Sequence, residues 1–453
     1  MRKLTSLVLT LTVGALFLIL QMLIIHKFIE RSKSEVLEDQ REALQTPVQY
    51  KAVHIFMAVM SKLTVPVVLV EPSILKAIMQ KRLGHLKEHN DCEFVCIKRN
   101  KTTFSVLQHM LVHQQEELLS SLKLHGFAVF KTEGGDPLTA HQLMTSKLVP
   151  YHYLLVYQDH LIHLALLYER SDLYLWKGPL ELPSSSKLYQ INLEIGTFAT
   201  PYPAAIKKFE VAEVKIDGIS LKVPKRPNRY LRSLQNSKFL ECDYQQAMDF
   251  YSVHGKDDSS VALDFKNRAI DVISQGQRIL DELGVSFWLS SGTCLGWFRE
   301  CSIIPHSKDV DFGIWAVDYK PNIISAFEMN GWMLKHILGK VEDSFELSFI
   351  HKNGLKLDLF FFYEEVDHVW NGGTDVYTAI KYKYSFPKFH LCWTEFQLML
   401  VRVPCETEPY IKANYGKHWR KKLEEWDWKS SPPNVKENGR WLEEEYQDAI
   451  QVF

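Results

Sequence analysis

Apolar residues run without a charge from Leu4 to Ile25, about 22 positions, and a helix rising ~1.5 Å per residue would carry such a run across a hydrocarbon core ~30 Å thick. The run is apolar on every face, which predicts a transmembrane signal-anchor helix over 4–25 behind a short tail at 1–3. No small-residue cleavage site follows Ile25, which argues against a removed signal peptide. Arg2 and Lys3 precede the span while Lys27, Arg31 and Lys33 follow it, so flanking charge does not orient it. Polar positions then dominate, with Glu30, Arg31, Lys33, Glu35, Glu38, Asp39, Arg41 and Glu42 marking a stem over 26–46.

The period changes beyond the stem. Short runs rich in branched and aromatic residues at 65–70, 127–130, 153–157 and 162–168 predict strands, and stretches at 74–82 and 104–122 predict helices. Together they predict an α/β domain over 47–235, with Val223-Pro224-Lys225-Arg226-Pro227-Asn228 approaching its boundary. The remainder, 236–453, opens with a helix from about Val261 to Leu283. Its Val261, Leu263, Phe265, Ala269, Ile270, Val272, Ile273 and Ile279 are expected to pack on a sheet. Val285 to Leu289 reads as a buried strand ending before Gly292. Residues 355–362 alternate so that Lys356 and Asp358 share one face and Leu355, Leu357 and Leu359 the other.

Composition changes this picture only by exclusion. With 453 residues, 46% of them hydrophobic, there is material for two cores, and a net charge of -1 argues against a nucleic-acid partner, where a basic footprint is expected. Seven cysteines permit disulfides and leave one over. Cys92 and Cys96 lack the second ligand pair of a zinc site. The scattered His109, His113, His152, His160 and His163 read as structural, and Asn100-Lys101-Thr102 is a glycosylation sequon if that domain is lumenal.

The chemistry concentrates in Asp309-Val310-Asp311. On a strand the two carboxylates project side by side while Val310 and Phe312 point inward, forming a hard-oxygen site suited to Mg²⁺ or Mn²⁺. Upstream, Ser290-Ser291-Gly292-Thr293 leads from the strand into a helix through Arg299, a turn whose backbone N–H groups favour a phosphate. Strand, Gly-Thr turn, helix, then strand with Asp-x-Asp is a nucleotidyltransferase-like order, so a mixed-sheet catalytic domain is expected. Asp358 is the expected third carboxylate, with Glu346 its competitor. Lys381 and Lys383, among Tyr382 and Tyr384, could meet a pyrophosphate and a pyrimidine base, and Arg299 the donor phosphates; each also reads as an ordinary exposed residue.

The run Trp288 to Trp297, then Ile304-Pro305 and Lys308-Asp309-Val310-Asp311, resembles the LicD/fukutin-type ribitol-phosphate transferase family. Lys340 to Ser344, Val369 to Thr374, Val403 to Thr407, Tyr415-Gly416 and Trp426-Asp427-Trp428-Lys429 strengthen the resemblance. It implies a single-pass type II Golgi membrane enzyme with a lumenal catalytic domain, working beside other O-mannosyl glycosylation enzymes. Such an enzyme moves ribitol 5-phosphate from CDP-ribitol to the phosphorylated O-mannosyl glycan of α-dystroglycan and releases CMP. Carried over, Asp309, Asp311 and Asp358 would hold the metal, Asp358 completing the site or assisting deprotonation of the acceptor, and Gly292 and Thr293, with Ser291, would cradle the donor phosphates. His306-Ser307-Lys308 stands where related sequences carry a richer acidic run. That thinning keeps open a membrane-anchored scaffold with weak catalysis, and another CDP-linked donor such as CDP-choline remains a further alternative.

Overall fold

The computed structural model describes residues 21–22, 24–27, 46–80, 92, 95–96, 101–140, 147–171, 173–181, 200–422 and 425–453. Two large sheets organise them. Nine strands form the first: β1 Val68–Leu69, β2 Lys101–Leu107, β3 Ala128–Gly135, β4 Leu148–Tyr157, β5 His160–Arg170, β6 Tyr174–Lys177, β7 Ala204–Lys207, β8 Val211–Ile216 and β9 Ile219–Pro224. Its spatial order is β3-β4-β5-β2-β1-β9-β8, with β6 on β5 and β7 on β6. The core includes Phe56 from the helix Val48–Lys62 together with Phe104, Tyr153, Leu155, Ile162 and Leu164, all fully buried.

Strands fall where branched and aromatic runs predict them, with one correction. Residues 104–107, expected to begin a helix, lie in β2, and helix starts only at Gln108–Leu111 and Gln115–Leu124. The β-favouring run Thr102, Thr103, Phe104 and Val106 pairs in parallel with β5, and this tertiary partner overrides the local helical spacing.

The second sheet holds β10 Phe287–Leu289, β11 Asp309–Trp315, β12 Met333–Lys340, β13 Asp343–Ile350, β14 Lys356–Glu364, β15 His368–Thr374, β16 Ile380–Pro387, β19 Val435–Arg440 and β20 Ile450–Val452. Its path is β19-β16-β15-β14-β13-β12-β20, with β11 running parallel to β14 and β10 antiparallel to β11. It is therefore a mixed sheet. The helix Ser260–Leu283 is capped by the Ser259 side chain at its start and by Gly284, at φ 66°, at its end. Phe265, Ala269, Val272, Ile273 and Ile279 are buried as expected, whereas Val261 and Leu263 are exposed on either side of Ala262, which takes the covered face.

A hairpin, β17 Leu391–Phe396 and β18 Met399–Pro404, closed by the Cys392–Cys405 disulfide, stands between the two sheets. Phe239 bridges to Trp393, and Arg170 at the end of β5 pairs with Glu241 at 2.6 Å and Glu395 at 3.4 Å. Cys92–Cys96 and Cys242–Cys301 are also bonded, leaving Cys294 free and buried.

Among the described residues no helix is long and apolar enough to cross a membrane. The longest of them, Ser260–Leu283, carries Asp264, Lys266, Arg268, Asp271, Arg278, Asp281 and Glu282, which a hydrocarbon core would not accept. The expectation of a single-pass type II Golgi protein with a lumenal catalytic domain is corrected on this finding. The tail at 1–3, most of the span expected over 4–25, the stem apart from Lys27, His26 and Thr46, and Asn100 lie outside the described residues.

Replacing Arg170 by Met should cost about 2 kcal/mol, less than the ~3–5 of a fully buried pair because Glu241 keeps 30% of its side chain exposed. Denaturant unfolding checks this, and an unchanged midpoint would show that the junction does not depend on the pair.

Candidate active site

Strand β10 delivers Ser290 to the edge of the site, and the chain turns there into the helix Ser291–Glu300. Ser291 opens it with φ 39°, a left-handed conformation that non-glycine residues adopt only where their surroundings impose it. Those surroundings are Asp311 and Tyr410. The Ser290 N–H donates to Asp311 O at 3.0 Å, the Gly292 N–H to Asp311 Oδ2 at 3.0 Å, and the Asp311 N–H to Thr293 Oγ1 at 2.9 Å. Ser290 Oγ also lies 2.8 Å from the Tyr410 hydroxyl, on the helix Thr407–Tyr415. The turn is thus strapped to the strand carrying the carboxylates. A Cβ on Gly292 would stand 3.5 Å from Asp311 Oδ2, 3.8 Å from Ser307 Oγ and 3.9 Å from the Tyr415 hydroxyl, so the glycine keeps the floor of the site open.

The carboxylates meet because β11 and β14 pair in parallel with Asp309 opposite Lys356 and Asp311 opposite Asp358. Alternation then buries Val310 and Phe312 in the core, as Leu357 and Leu359 are buried on β14. Gly313 continues the site face and leaves no room for a side chain, since the Trp288 indole lies directly over it. Oxygens of Asp309, Asp311 and Asp358 come within 4.8 Å of one another. Lys356 Nζ joins two of them, 3.2 Å from Asp309 Oδ2 and 2.7 Å from Asp358 Oδ2. Ser348 Oγ donates to Asp358 Oδ1 at 2.6 Å, and Ser307 Oγ to Asp309 O at 3.2 Å.

Burial sets the electrostatics. It pushes the Asp311 carboxyl well above the usual carboxylate range, and the neighbouring Asp309 and Asp358 push it further. Asp358 is raised as well, by burial first, with Lys356 drawing it back and Glu346 adding to it. Burial opposes the charge on Lys356, yet Asp358 and Asp309 hold that ammonium above the ordinary lysine value. Three converging carboxylates served by one ammonium form a donor set that fits a hard divalent cation such as Mg²⁺ or Mn²⁺.

Other expected site residues are elsewhere. Arg299 is buried, bound to the Glu300 carboxylate, to Trp419 O at 3.3 Å and to Lys421 O at 3.1 Å, and lies over the Phe250 ring. It braces the helix end and does not reach the turn. Lys381 pairs with Asp343 at 2.7 Å and Lys383 sits over the Trp370 ring, so both are on the face of β16 turned away from Asp358. By alternation Tyr382 and Tyr384 take the site face, and the Tyr384 hydroxyl donates to Trp428 O at 2.8 Å. Lys381, Lys383 and Arg299, expected to meet the donor phosphates, are therefore not brought together with the three carboxylates. Thr293 is buried and braces Asp311, leaving Ser291 and Gly292 to line the turn. Ser348, Ser307, Tyr410 and Tyr415 also build the site, beyond the residues the sequence points to. Ser348 has a local signal in its alternation with Glu346, and Tyr415 one in the Tyr415-Gly416 pair.

A mixed sheet that sets two parallel-strand aspartates beside a strand–turn–helix defines a nucleotidyltransferase-type domain. The pattern described as the LicD/FKTN/FKRP nucleotidyltransferase domain matches residues 284–406, and the one described as Fukutin N-terminal matches residues 1–270. The chain is 45% identical over 411 residues to the Ribitol-5-phosphate transferase FKTN of Mus musculus, covering 89% of this chain and 88% of that protein. It is 44% identical to the Homo sapiens protein of the same name over the same shares. An uncharacterized Caenorhabditis elegans protein is 34% identical over 195 residues, 40% of this chain and 50% of that one. Among solved structures, the Megavirus polyadenylate synthase overlaps with a TM-score of 0.22 at 9% identity, over 73% of this chain and 63% of that chain, too loosely to carry an argument. The chain belongs to the fukutin family.

Asp309→Asn and Asp311→Asn are each expected to abolish turnover while thermal unfolding changes little, since each relieves like-charge repulsion in the cluster. A double variant that keeps turnover would refute the site. Gly292→Ala should be tolerated, since its Cβ meets Asp311 and Tyr415 at ordinary contact distance, and Gly292→Val, which adds two methyl groups beyond that Cβ, should weaken CDP binding about tenfold or more; calorimetric titration with CDP distinguishes the two.

Proposed function

We propose that this chain transfers ribitol 5-phosphate from CDP-ribitol to the phosphorylated O-mannosyl glycan of α-dystroglycan and releases CMP. The observation that carries the reading is the parallel pairing of Asp311 with Asp358 beside the Ser290–Thr293 turn, in a chain 45% identical to a ribitol-5-phosphate transferase. Three carboxylates on a braced sheet next to a strand-to-helix turn suit transfer of a phosphate-linked group better than they suit a passive scaffold.

In this reading Asp309, Asp311 and Asp358 hold a divalent cation, Mg²⁺ or Mn²⁺. When bound, such an ion neutralises charge on the donor phosphates as the leaving group departs. The chain's own groups do the positioning. The turn at Ser291 and Gly292 seats the donor pyrophosphate, and Lys356 holds Asp309 and Asp358 together at the sheet surface. The acceptor hydroxyl attacks the phosphorus of the ribitol phosphate, forming the new O–P bond as the P–O bond to CMP breaks. Asp358 in its ionised form accepts the hydroxyl proton, burial making that carboxylate a stronger base than an exposed one. Holding both reactants in line supplies much of the rate through lost translational freedom.

The purified chain supplied with CDP-ribitol, Mg²⁺ or Mn²⁺ and a phosphorylated O-mannosyl glycopeptide is expected to release CMP only when acceptor and metal are both present, and EDTA should stop it. Asp311→Asn should lower release by about 10³-fold or more. Silence from a folded chain with a verified acceptor would favour a scaffold role, and release with CDP-choline in place of CDP-ribitol would change the donor.

A further inference from the structure

Four strands of the second sheet place one row of side chains in register. Asp311 stands opposite Asp358, Asp358 opposite Ser348, and Ser348 opposite His336. Asp358 is therefore inside the row and has donors on both sides. On one side are Asp309 and Asp311. On the other are His336 and Glu346, whose donor atoms lie within 4.8 Å of each other and of Asp358. His336 Nε2 is 2.9 Å from Glu346 Oε1, so a carboxylate orients the imidazole. The pairing of β12 with β13 slips just before His336 and again after Leu338, and such bulges turn side chains toward sites.

Charge balance points the same way. Asp311, Asp358 and Glu346 are exposed by only 6%, 3% and 9%, and Asp309 lies beside them. Lys356 and His336 are the basic groups paired with these four carboxylates among the described residues. Buried carboxylates in this excess are costly unless protons or further cations offset them.

We propose that His336, Glu346 and Asp358 form a second divalent-cation position, next to the one at Asp309 and Asp311 and sharing Asp358 with it. The inference rests on the reading of Asp309, Asp311 and Asp358 as a cation site. The two positions differ in chemistry. Oxygen donors alone suit Mg²⁺, whereas the imidazole of the second position favours a transition-metal ion. One chain would then carry a hard and a softer cation bridged by one aspartate.

Titration of the full chain with Mn²⁺, reading the free ion by electron paramagnetic resonance, tests this. The unaltered chain should bind two ions, and His336→Leu and Asp309→Asn should each bind one. Excess Mg²⁺ should displace one ion from the unaltered chain and leave the other. The retained Mn²⁺ should show spin-echo coupling to an imidazole nitrogen, a readout on the unaltered chain that stands even if His336→Leu does not fold. One bound ion, kept in His336→Leu and lost in Asp309→Asn, overturns the second position and leaves the first. Two ions in folded His336→Leu overturn it as well, and no bound ion overturns both positions. Two ions without CMP release would go against the transferase reading alone.

Discussion

Keeping like charges together inside a sheet is the constraint on which the C-terminal half depends. Asp311 and Asp358 repel one another and have lost most of their water, so the pair survives only because the strands carrying it cannot move apart. What holds the strands is the opposite face, where Val310, Phe312, Leu357, Leu359 and Phe361 are buried at 2% exposure or less. Full burial of such side chains contributes roughly 1.5–3 kcal/mol each, enough in sum to outweigh the desolvation and repulsion of the carboxylates. The straps from Ser290, Gly292 and Thr293 then fix Asp311 within its strand, so the geometry of the carboxylate cluster and core packing are set by the same strands.

That arrangement explains how the first sheet bears on the site without supplying a residue to it. The hairpin β17–β18 contacts the first half through Trp393 and Glu395, and its far end leads into the helix that carries Tyr410 and Tyr415. Tyr410 reaches Ser290, and the Tyr415 hydroxyl lies beside Gly292. Arg170, held between Glu241 and Glu395 and over the rings of Tyr174 and Phe239, anchors the hairpin from the other side. The path from Arg170 to the turn consists of packed or bonded elements.

Alternation along single strands made the carboxylates legible in advance. It requires only that Asp309, Asp311 and Asp358 sit on strands, and the hydrophobic partners Val310, Phe312, Leu357 and Leu359 announce those strands strongly. Basic residues were harder to place, because a long side chain's partner is decided in three dimensions. Lys381 alternates onto the face away from Asp358 once its strand is paired, where it meets Asp343, and Arg299 is drawn into the shell of Glu300 and Trp419 rather than toward the turn. The same limit explains residues 104–107, whose helical spacing yields to a parallel partner that no local pattern reveals. Exposure of Val261 and Leu263 beside the buried Ala262 shows the complementary error: apolar residues next to a helical stripe need not lie on its covered face.

The thinned acidic run before Asp309 raised the prospect of a weakened site, since His306, Ser307 and Lys308 add no carboxylate. Acid content along one strand is a poor measure of acid content on one face. Ser307 donates its hydroxyl to Asp309 O and so braces the strand entry instead of ligating. The missing charge is supplied laterally: Asp358 comes from β14 and Glu346 from β13, and both lie on the same face within reach of the cluster or of its neighbour Asp358. A sheet sums its charge across strands, at a spacing of ~4.8 Å per strand, so substitutions that empty a linear motif can leave the face nearly as acidic as before. Neighbouring strands therefore remove the electrostatic ground for reading this site as inert.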